Sequence, residues 1–282
     1  MEIIRIPRIV QDTCKKYRMK GRSVGFVPTM GALHEGHLSL IRRSRMENDI
    51  TVVSIFVNPL QFGPSEDLAR YPRDVESDSN KISALETDIL FLPDDALMYS
   101  PAFSTSVEVA GVSEKLCGRF RPGHFRGVAT VVAKLFNIVS PTRAYFGQKD
   151  YQQTVVIRRM VKDLNFDLEV VICPTIREHD GLAISSRNTY LGPEERIAAA
   201  AIHRSLSRGA GAVLQGERSA GRIREMVEEG LAAEKLINRI DYVAAVDLAT
   251  LDDVEEIGRE IVLAAAVRIG KTRLIDNLLV NV

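Results

Sequence analysis

Between Val24 and Cys173, short apolar runs alternate with segments whose apolar residues recur at helical spacing. Such alternation restricts a chain to an α/β fold built on a parallel sheet. Val24–Pro28, Ile50–Val57, Ile89–Leu92, Ala144–Phe146 and Leu168–Cys173 read as strands. Each is nearly continuous in apolar residues, as strands covered on both faces require. Leu38–Glu47, Val75–Leu85, Val128–Val139 and Gln153–Asn165 read as helices. In the last, Val156, Met160, Val161 and Leu164 fall near one helical face. Parallel sheets of this kind bind ligands beyond the carboxyl ends of their strands. The polar, glycine-bearing segments after residues 24–28, 50–57 and 144–146 are therefore where chemistry is expected.

After about residue 176 the texture changes. GPEERIAAAAIHRSLSRGAGAVLQG reads as one helix with Pro193 in its first turn, and Ser219–Lys235 as another with Ser219 as its cap. Tyr242–Asp247, Ile261–Val267 and Leu274–Val280 read as strands. Two helices followed by three strands predict a small α+β domain over residues 176–282, after an α/β domain over residues 1–175. The late Gly270-Lys271-Thr272 lacks the upstream glycine of a phosphate-binding loop, because Ala265 stands there. It reads as a hairpin connection.

Lysine plus arginine and aspartate plus glutamate each number 37 among 282 residues, a formal net charge of zero. A general nucleic-acid binder needs a basic surface, so no nucleic-acid partner is expected. Cys14, Cys117 and Cys173 are too scattered for a metal cluster or a disulfide framework. The first eighteen residues lack a signal-peptide core, and no run of about 18 apolar residues suggests a membrane span. The expected compartment is the cytoplasm.

The most informative segment is PTMGALHEGH at residues 28–37. It leads from a buried strand through glycine into a helix. That junction gathers backbone N–H donors and the positive end of a helix dipole, which suits phosphate. His34 and His37 are three residues apart, so both rings can reach one anion. Zinc-binding histidine pairs on helices sit four apart, which ranks metal binding lower. The expected ligand is a nucleoside triphosphate.

Four further segments carry candidate residues. Asn58 and Gln61 in SIFVNPLQF offer neutral amides for hydroxyl or carboxylate recognition, or form a plain Asn-Pro turn. Arg119, Arg121, His124 and Arg126 precede a long apolar helix and form either an anion site or a solvated basic loop. In FGQKDYQQ, Lys149 can sit on a phosphate, Asp150 can bond ribose hydroxyls, and Gln153 can reach an acyl substrate. In DGLAISSRN, two hydroxyls and a guanidinium, Ser185, Ser186 and Arg187, share one polar stretch that can close on a triphosphate. Among Asp74, Glu76 and Asp78, Asp78 is a candidate Mg²⁺ ligand, with exposure on a helix start as the alternative.

Taken in order, PTMGALHEGH, SIFVNPLQF, RPGHFRGVATVV, FGQKDYQQ and DGLAISSRN closely resemble the pantothenate synthetase family, within the nucleotidylyltransferase superfamily. The resemblance runs from Gly25 to about Asn188, and IGKTRLIDN near the end also fits. It implies a Rossmann-like N-terminal domain and a smaller C-terminal domain acting as a lid. It implies ATP-dependent ligation of pantoate to β-alanine through a pantoyl adenylate, with Mg²⁺ and a homodimer. By matching motifs, His34, His37, Lys149, Ser185, Ser186 and Arg187 would contact ATP phosphates. Gly147 and Asp150 would hold the ribose, and Met30, Ile176 and Ile184 would also line the ATP site. Gln61 and Gln153 would orient pantoate, with Asn58, Arg121 and His124 beside them. The family often has methionine where Ile184 stands, a volume-similar swap. It often has two adjacent acidic residues after YPR, where this chain reads Asp74-Val75-Glu76-Ser77-Asp78.

Two rivals compete. One is a different nucleotidylyltransferase, whose product would keep the nucleotide. The other is a non-catalytic nucleotide-binding module, which would be expected to have lost some of the histidines, Lys149 or Arg187. A tRNA-charging role is disfavoured by the neutral charge and by the lack of room for an anticodon-binding domain.

Overall fold

The computed structural model describes residues 1–64 and 66–282. The chain divides into two compact units. The first comprises Met1–Ser113, Arg121–Gly147 and Val156–Pro174; the second comprises Glu114–Phe120, Gln148–Val155 and Thr175–Val282.

In chain order the elements are β1 (Glu2–Ile4), α1 (Pro7–Met19), β2 (Val24–Thr29), α2 (Glu35–Glu47), β3 (Ile50–Ile55), α3 (Val75–Ser83), β4 (Ile89–Phe91) and α4 (Asp95–Met98). There follow α5 (Cys117–Phe120), α6 (His124–Val139), β5 (Arg143–Gly147), α7 (Tyr151–Asp163) and β6 (Glu169–Cys173). The six strands of the first unit form one parallel sheet in the order β1-β4-β3-β2-β5-β6. Apart from the edge strand β1, this is the doubly wound Rossmann order. Sequence periodicity finds neither β1 nor α1. The strand is three residues long at the sheet edge, and α1 buries little more than Val10 and Cys14.

Both faces of the sheet are covered. On one face Val27, Val53, Ile55 and Leu90 pack with Leu40 and Ile41 of α2 and Ile82 of α3. On the other, Phe136 of α6 meets Phe26 and Phe146 edge-on, at ring separations of 6.5 and 6.3 Å. These faces explain why the strands read as continuous apolar runs rather than alternating ones.

The chain order reverses between β2 and β5, and a proline opens the sheet there. Their ladder runs Gly25↔Arg143 and Phe26↔Ala144 and stops, although β2 continues to Thr29 and β5 to Gly147. The carbonyl of Val24 accepts from the Thr142 N–H, so alternate residues 24, 26 and 28 direct their main-chain groups toward β5. At the third of these stands Pro28, which has no N–H to give. The carboxyl ends of β2 and β5 therefore part, at the switch point beside which such folds bind ligands.

In the second unit, α8 (Pro193–Ala199), α9 (Ala201–Leu214) and α10 (Ala220–Ala232) precede β7 (Ile237–Val246), β8 (Glu260–Ile269) and β9 (Thr272–Asn281). The strands form an antiparallel sheet in the order β7-β8-β9. Ile202, Leu206, Ile223 and Val227 share a core with Leu263, Ala265 and Val267 of β8. The single helix expected over residues 192–216 is interrupted at Ala200. β7 begins before the expected Tyr242 because its first half is polar, with Asp241 paired to Arg239, Arg268 and Arg273 on the three strands. Gly270 and Lys271 do form the turn of a hairpin, closed by the pair Ile269↔Thr272.

Candidate active site

The turn after β2 is held by a buried carboxylate. Gly31 and Ala32 both adopt left-handed conformations, with φ of 82° and 51°. For alanine this conformation costs roughly 1–2 kcal/mol and persists only where surroundings enforce it. Asp78, 2% exposed at the start of α3, supplies the enforcement. Its Oδ2 accepts from the Ala32 N–H at 2.7 Å and its Oδ1 from the Leu33 N–H at 2.8 Å. Lys81, one turn later, donates to the Leu33 carbonyl at 2.9 Å. The side chain singled out as a metal ligand thus grips the backbone that delivers His34.

We expect Asp78→Ala to lower the unfolding free energy by about 3 kcal/mol, since bonds to a charged acceptor contribute about 1.5–3 kcal/mol each and Ala32 would lose its restraint. Urea denaturation reads this directly, and wild-type stability would show that the clamp contributes nothing.

His34 is the residue from which α2 starts, and His37 lies in its first turn. The two rings lie against each other, 4.1 Å between centroids and 32° between planes. His37 Nδ1 faces the His34 N–H at 3.5 Å. Gly36 makes this geometry possible, because a Cβ there would stand 3.0 Å from both Cε1 and Nδ1 of His34. The spacing of three residues brings both imidazoles to the N-terminus of a thirteen-residue helix, where backbone donors and dipole also favour an anion.

Across the first unit lies a chain of amides. Gln61, 8% exposed, directs Nε2 at the Met30 sulfur 3.1 Å away. Its Oε1 accepts from Asn58 Nδ2 at 3.1 Å. Asn58 Nδ2 also donates to the Gly127 carbonyl at 3.1 Å. Asn58 Oδ1 accepts from Tyr99 Oη at 2.7 Å and from the Leu60 N–H at 3.3 Å. Both hydrogens and both lone pairs of the Asn58 amide are thereby used. Asn58 is 1% exposed, and its amide braces that of Gln61.

Arg121 and His124 serve the same turn. The Gln61 carbonyl accepts from His124 Nδ1 at 2.8 Å and from Arg121 Nη2 at 3.4 Å. With Nδ1 donating, His124 Nε2 is left to accept from Arg121 Nη1 at 3.0 Å. Arg121 is also bidentate to Glu66, at 2.7 Å for each bond. Burial pushes the Glu66 carboxyl up, but the bonds and charge of Arg121 outweigh it and hold the group below the usual glutamate range. The basic cluster read as a candidate anion site is in this part neutralised. Neither Tyr99 nor Glu66 was legible beforehand, because Tyr99 lies 41 positions from Asn58 and Glu66 55 from Arg121.

The remaining candidates belong to the second unit, except Gly147, which ends β5. Lys149 and Asp150 lie in a 3-10 turn over Gln148–Asp150, Asp150 exposed, and Gln153 is half-buried in the first turn of α7. Ile176 and Ile184 are joined by a backbone bond, Ile184 N–H to Ile176 carbonyl at 3.0 Å. That bond closes a loop delivering Ser185, which caps a 3-10 turn over Ser186–Tyr190 by accepting from the Arg187 N–H at 3.3 Å. Among the described residues, no group of three or more His, Cys, Asp or Glu side chains could hold a metal ion.

A doubly wound sheet with paired imidazoles on the helix that follows its switch point defines a nucleotide-handling α/β enzyme. Comparison with known proteins makes this specific. Residues 2–279 match the family model described as pantoate-beta-alanine ligase. A pantothenate synthetase from Thermodesulfovibrio yellowstonii is 58% identical over 281 residues, covering 100% of each chain. The crystal structure of pantothenate synthetase from Thermus thermophilus superposes with a TM-score of 0.94 at 46% identity, covering 99% of each chain. A pantoate-beta-alanine ligase from Francisella tularensis, solved with beta-gamma ATP and beta-alanine, gives a TM-score of 0.79 at 33% identity, covering 99% of this chain and 97% of that one. The chain belongs to the pantoate-beta-alanine ligase family, and its activity is that of a ligase.

Proposed function

We propose that the chain condenses pantoate with β-alanine to pantothenate in two steps, with a pantoyl adenylate between them. In the first, a carboxylate oxygen of pantoate attacks the α-phosphorus of ATP. The bond to the bridging oxygen breaks and pyrophosphate leaves. In the second, the β-alanine amine attacks the pantoyl carbonyl carbon. The bond to the adenylate oxygen breaks, AMP leaves and the amine gives up a proton. The family match over residues 2–279 carries this reading, since it spans every candidate from Met30 to Arg187. The Francisella relative, solved with beta-gamma ATP and beta-alanine, supports these two as substrates here as well.

The substrate itself supplies the nucleophile, so the enzyme's task is electrostatic and geometric. An anion must approach a triphosphate that is itself strongly anionic. His34, His37, Lys149, Ser185, Ser186 and Arg187 bind the phosphates and stabilise the departing pyrophosphate. Gly147 and Asp150 take the ribose, and Ile176, Ile184 and Met30 border the nucleotide. Gln61 and Gln153 align pantoate without adding negative charge. Asn58, Arg121 and His124 act one step back, by fixing the Gln61 turn.

Magnesium would enter with ATP as its counter-ion and would offset the charge of the phosphates. The described residues do not form a dedicated cage, since no three His, Cys, Asp or Glu side chains come together, and both Asp78 oxygens accept backbone N–H groups. Residues 176–282 act as a lid that keeps water from the mixed anhydride. The family resemblance also carries a homodimeric, cytoplasmic enzyme. No helix among the described residues is long and apolar enough to cross a membrane.

The test is product analysis. With ATP, Mg²⁺, pantoate and β-alanine, mass spectrometry should find pantothenate, AMP and pyrophosphate in equal amounts. ADP and phosphate in their place, or a product that keeps the nucleotide, would refute the proposal.

A further inference from the structure

The segment IGKTRLIDN lies well after the motifs of residues 28–188, and its Gly270 and Lys271 form a hairpin turn. Its last two residues have a more specific environment. Asp276 and Asn277 adjoin on β9 and are 4% and 3% exposed. Each fastens a different segment of the second unit to that strand.

Asn277 fastens the Lys149 turn. Its Nδ2 donates to the carbonyls of Gln148 at 3.0 Å and of Lys149 at 2.9 Å. Its Oδ1 accepts from Gln148 Nε2 at 3.4 Å. The two hydrogens of one buried amide therefore set two consecutive peptide planes, those on either side of Lys149. Asp276 fastens the loop that delivers Ser185, Ser186 and Arg187. Its carboxylate takes both Nη atoms of Arg177, at 2.6 and 3.0 Å. Arg177 in turn donates to the Gly181 carbonyl at 3.0 Å and the Asn277 carbonyl at 3.3 Å. The loop it opens is closed by Glu178 N–H to the Leu182 carbonyl at 2.8 Å and by Ile184 N–H to the Ile176 carbonyl. The two side chains are coupled as well, because Asp276 Oδ1 accepts from the Asn277 N–H at 2.8 Å.

We infer that Asp276 and Asn277 are positioning residues for ATP: one rigid dipeptide on β9 holds both the Lys149 turn and the Ser185–Arg187 loop in fixed register. The inference rests on the reading of those two segments as phosphate ligands. Both are polar, lie outside secondary-structure cores, and would otherwise hold their side chains only loosely. Anchoring them through main-chain carbonyls and a bidentate guanidinium, the most directional of ion pairs, removes that freedom before ATP arrives.

Asn277→Asp is the sharpest test, because it keeps the shape but replaces two donors with lone pairs that face two carbonyls. ATP binding in the presence of Mg²⁺ is measured by calorimetry on wild type, Asn277→Asp, Lys149→Ala and the double variant, with melting temperature and pantoate KM recorded for each. The expected result is at least roughly tenfold weaker ATP binding in Asn277→Asp, pantoate KM changed less than about threefold, and a double variant no worse than the stronger single one, as for two changes acting through one contact. If Asn277→Asp does not fold, Asn277→Ser, which keeps one donor, should weaken ATP binding about threefold. Wild-type ATP binding in a folded Asn277 variant, while Lys149→Ala binds weakly, overturns the inference alone. Wild-type ATP binding in Lys149→Ala overturns the underlying phosphate role and the inference with it. Equal losses for ATP and pantoate would mark Asn277 as merely structural and also overturn it.

Discussion

His34→Ala and His37→Ala are each expected to slow pantoyl-adenylate formation by on the order of 10²–10³, the usual effect of removing one preorganised donor from a site where charge develops. The size follows from how much of the structure is committed to these two rings. Pro28 lacks the N–H that would extend pairing toward β5, Gly31 and Ala32 turn the chain through left-handed conformations, and Asp78 holds two successive N–H groups of that turn. All of this precedes a helix whose first turn sets the imidazoles 4.1 Å apart. A site assembled so rigidly has its donors in place before charge forms, which is when they contribute most. Single-turnover quench with ATP and pantoate measures the step. Rates within about threefold of wild type for both variants would remove the histidines from the phosphate role.

Gly127→Ala should be nearly as damaging, for a steric reason. Glycine inside a helix normally costs up to about 1 kcal/mol against alanine, so such a change would ordinarily stabilise α6. Here the added Cβ would stand 2.6 Å from the Gln61 nitrogen and closer still to the carbonyl carbon and oxygen of Leu60. These are main-chain atoms, so no rotamer change relieves the contact, and the Pro59–Gln61 turn must move. That displacement stretches the Asn58 bond to the Gly127 carbonyl and shifts Gln61 away from Met30. Overpacking costs about 1–3 kcal/mol in stability. A misplacement of about 1 Å costs on the order of 10² in rate, so kcat/KM for pantoate should fall by that factor. Melting temperature and steady-state kinetics separate the two effects. A variant more stable than wild type with unchanged kcat/KM would show that the turn is not held against α6.

The parallel-sheet architecture was readable because buried strands must be apolar throughout, and five such runs stood between helical patterns. What escaped detection had no such pattern. β1 spans three residues, and the first half of β7 is disguised by the polar Asn238, Arg239 and Asp241, the last paired both within its strand and across the sheet. The juxtaposition of His34 and His37 was legible because residue type and local spacing carry it. Partners far along the chain were not legible. Asn58 offers the right amide for a substrate, yet Tyr99, Gly127, Leu60 and Gln61 consume it. Asp78 resembles a metal ligand in a run of acidic residues, yet it grips backbone 46 and 45 positions earlier. Gly127 and Gly36 carry no signal of their own, because close approach of another group is a property of the folded chain.

That the carboxylate of pantoate is adenylylated before the amine takes part is tested most directly by isotope exchange. The enzyme is incubated with ATP, Mg²⁺, pantoate and labelled pyrophosphate, and β-alanine is withheld. An adenylate intermediate requires the label to appear in ATP under these conditions, and to stop appearing when pantoate is omitted. Exchange that occurs only after β-alanine is added would contradict it.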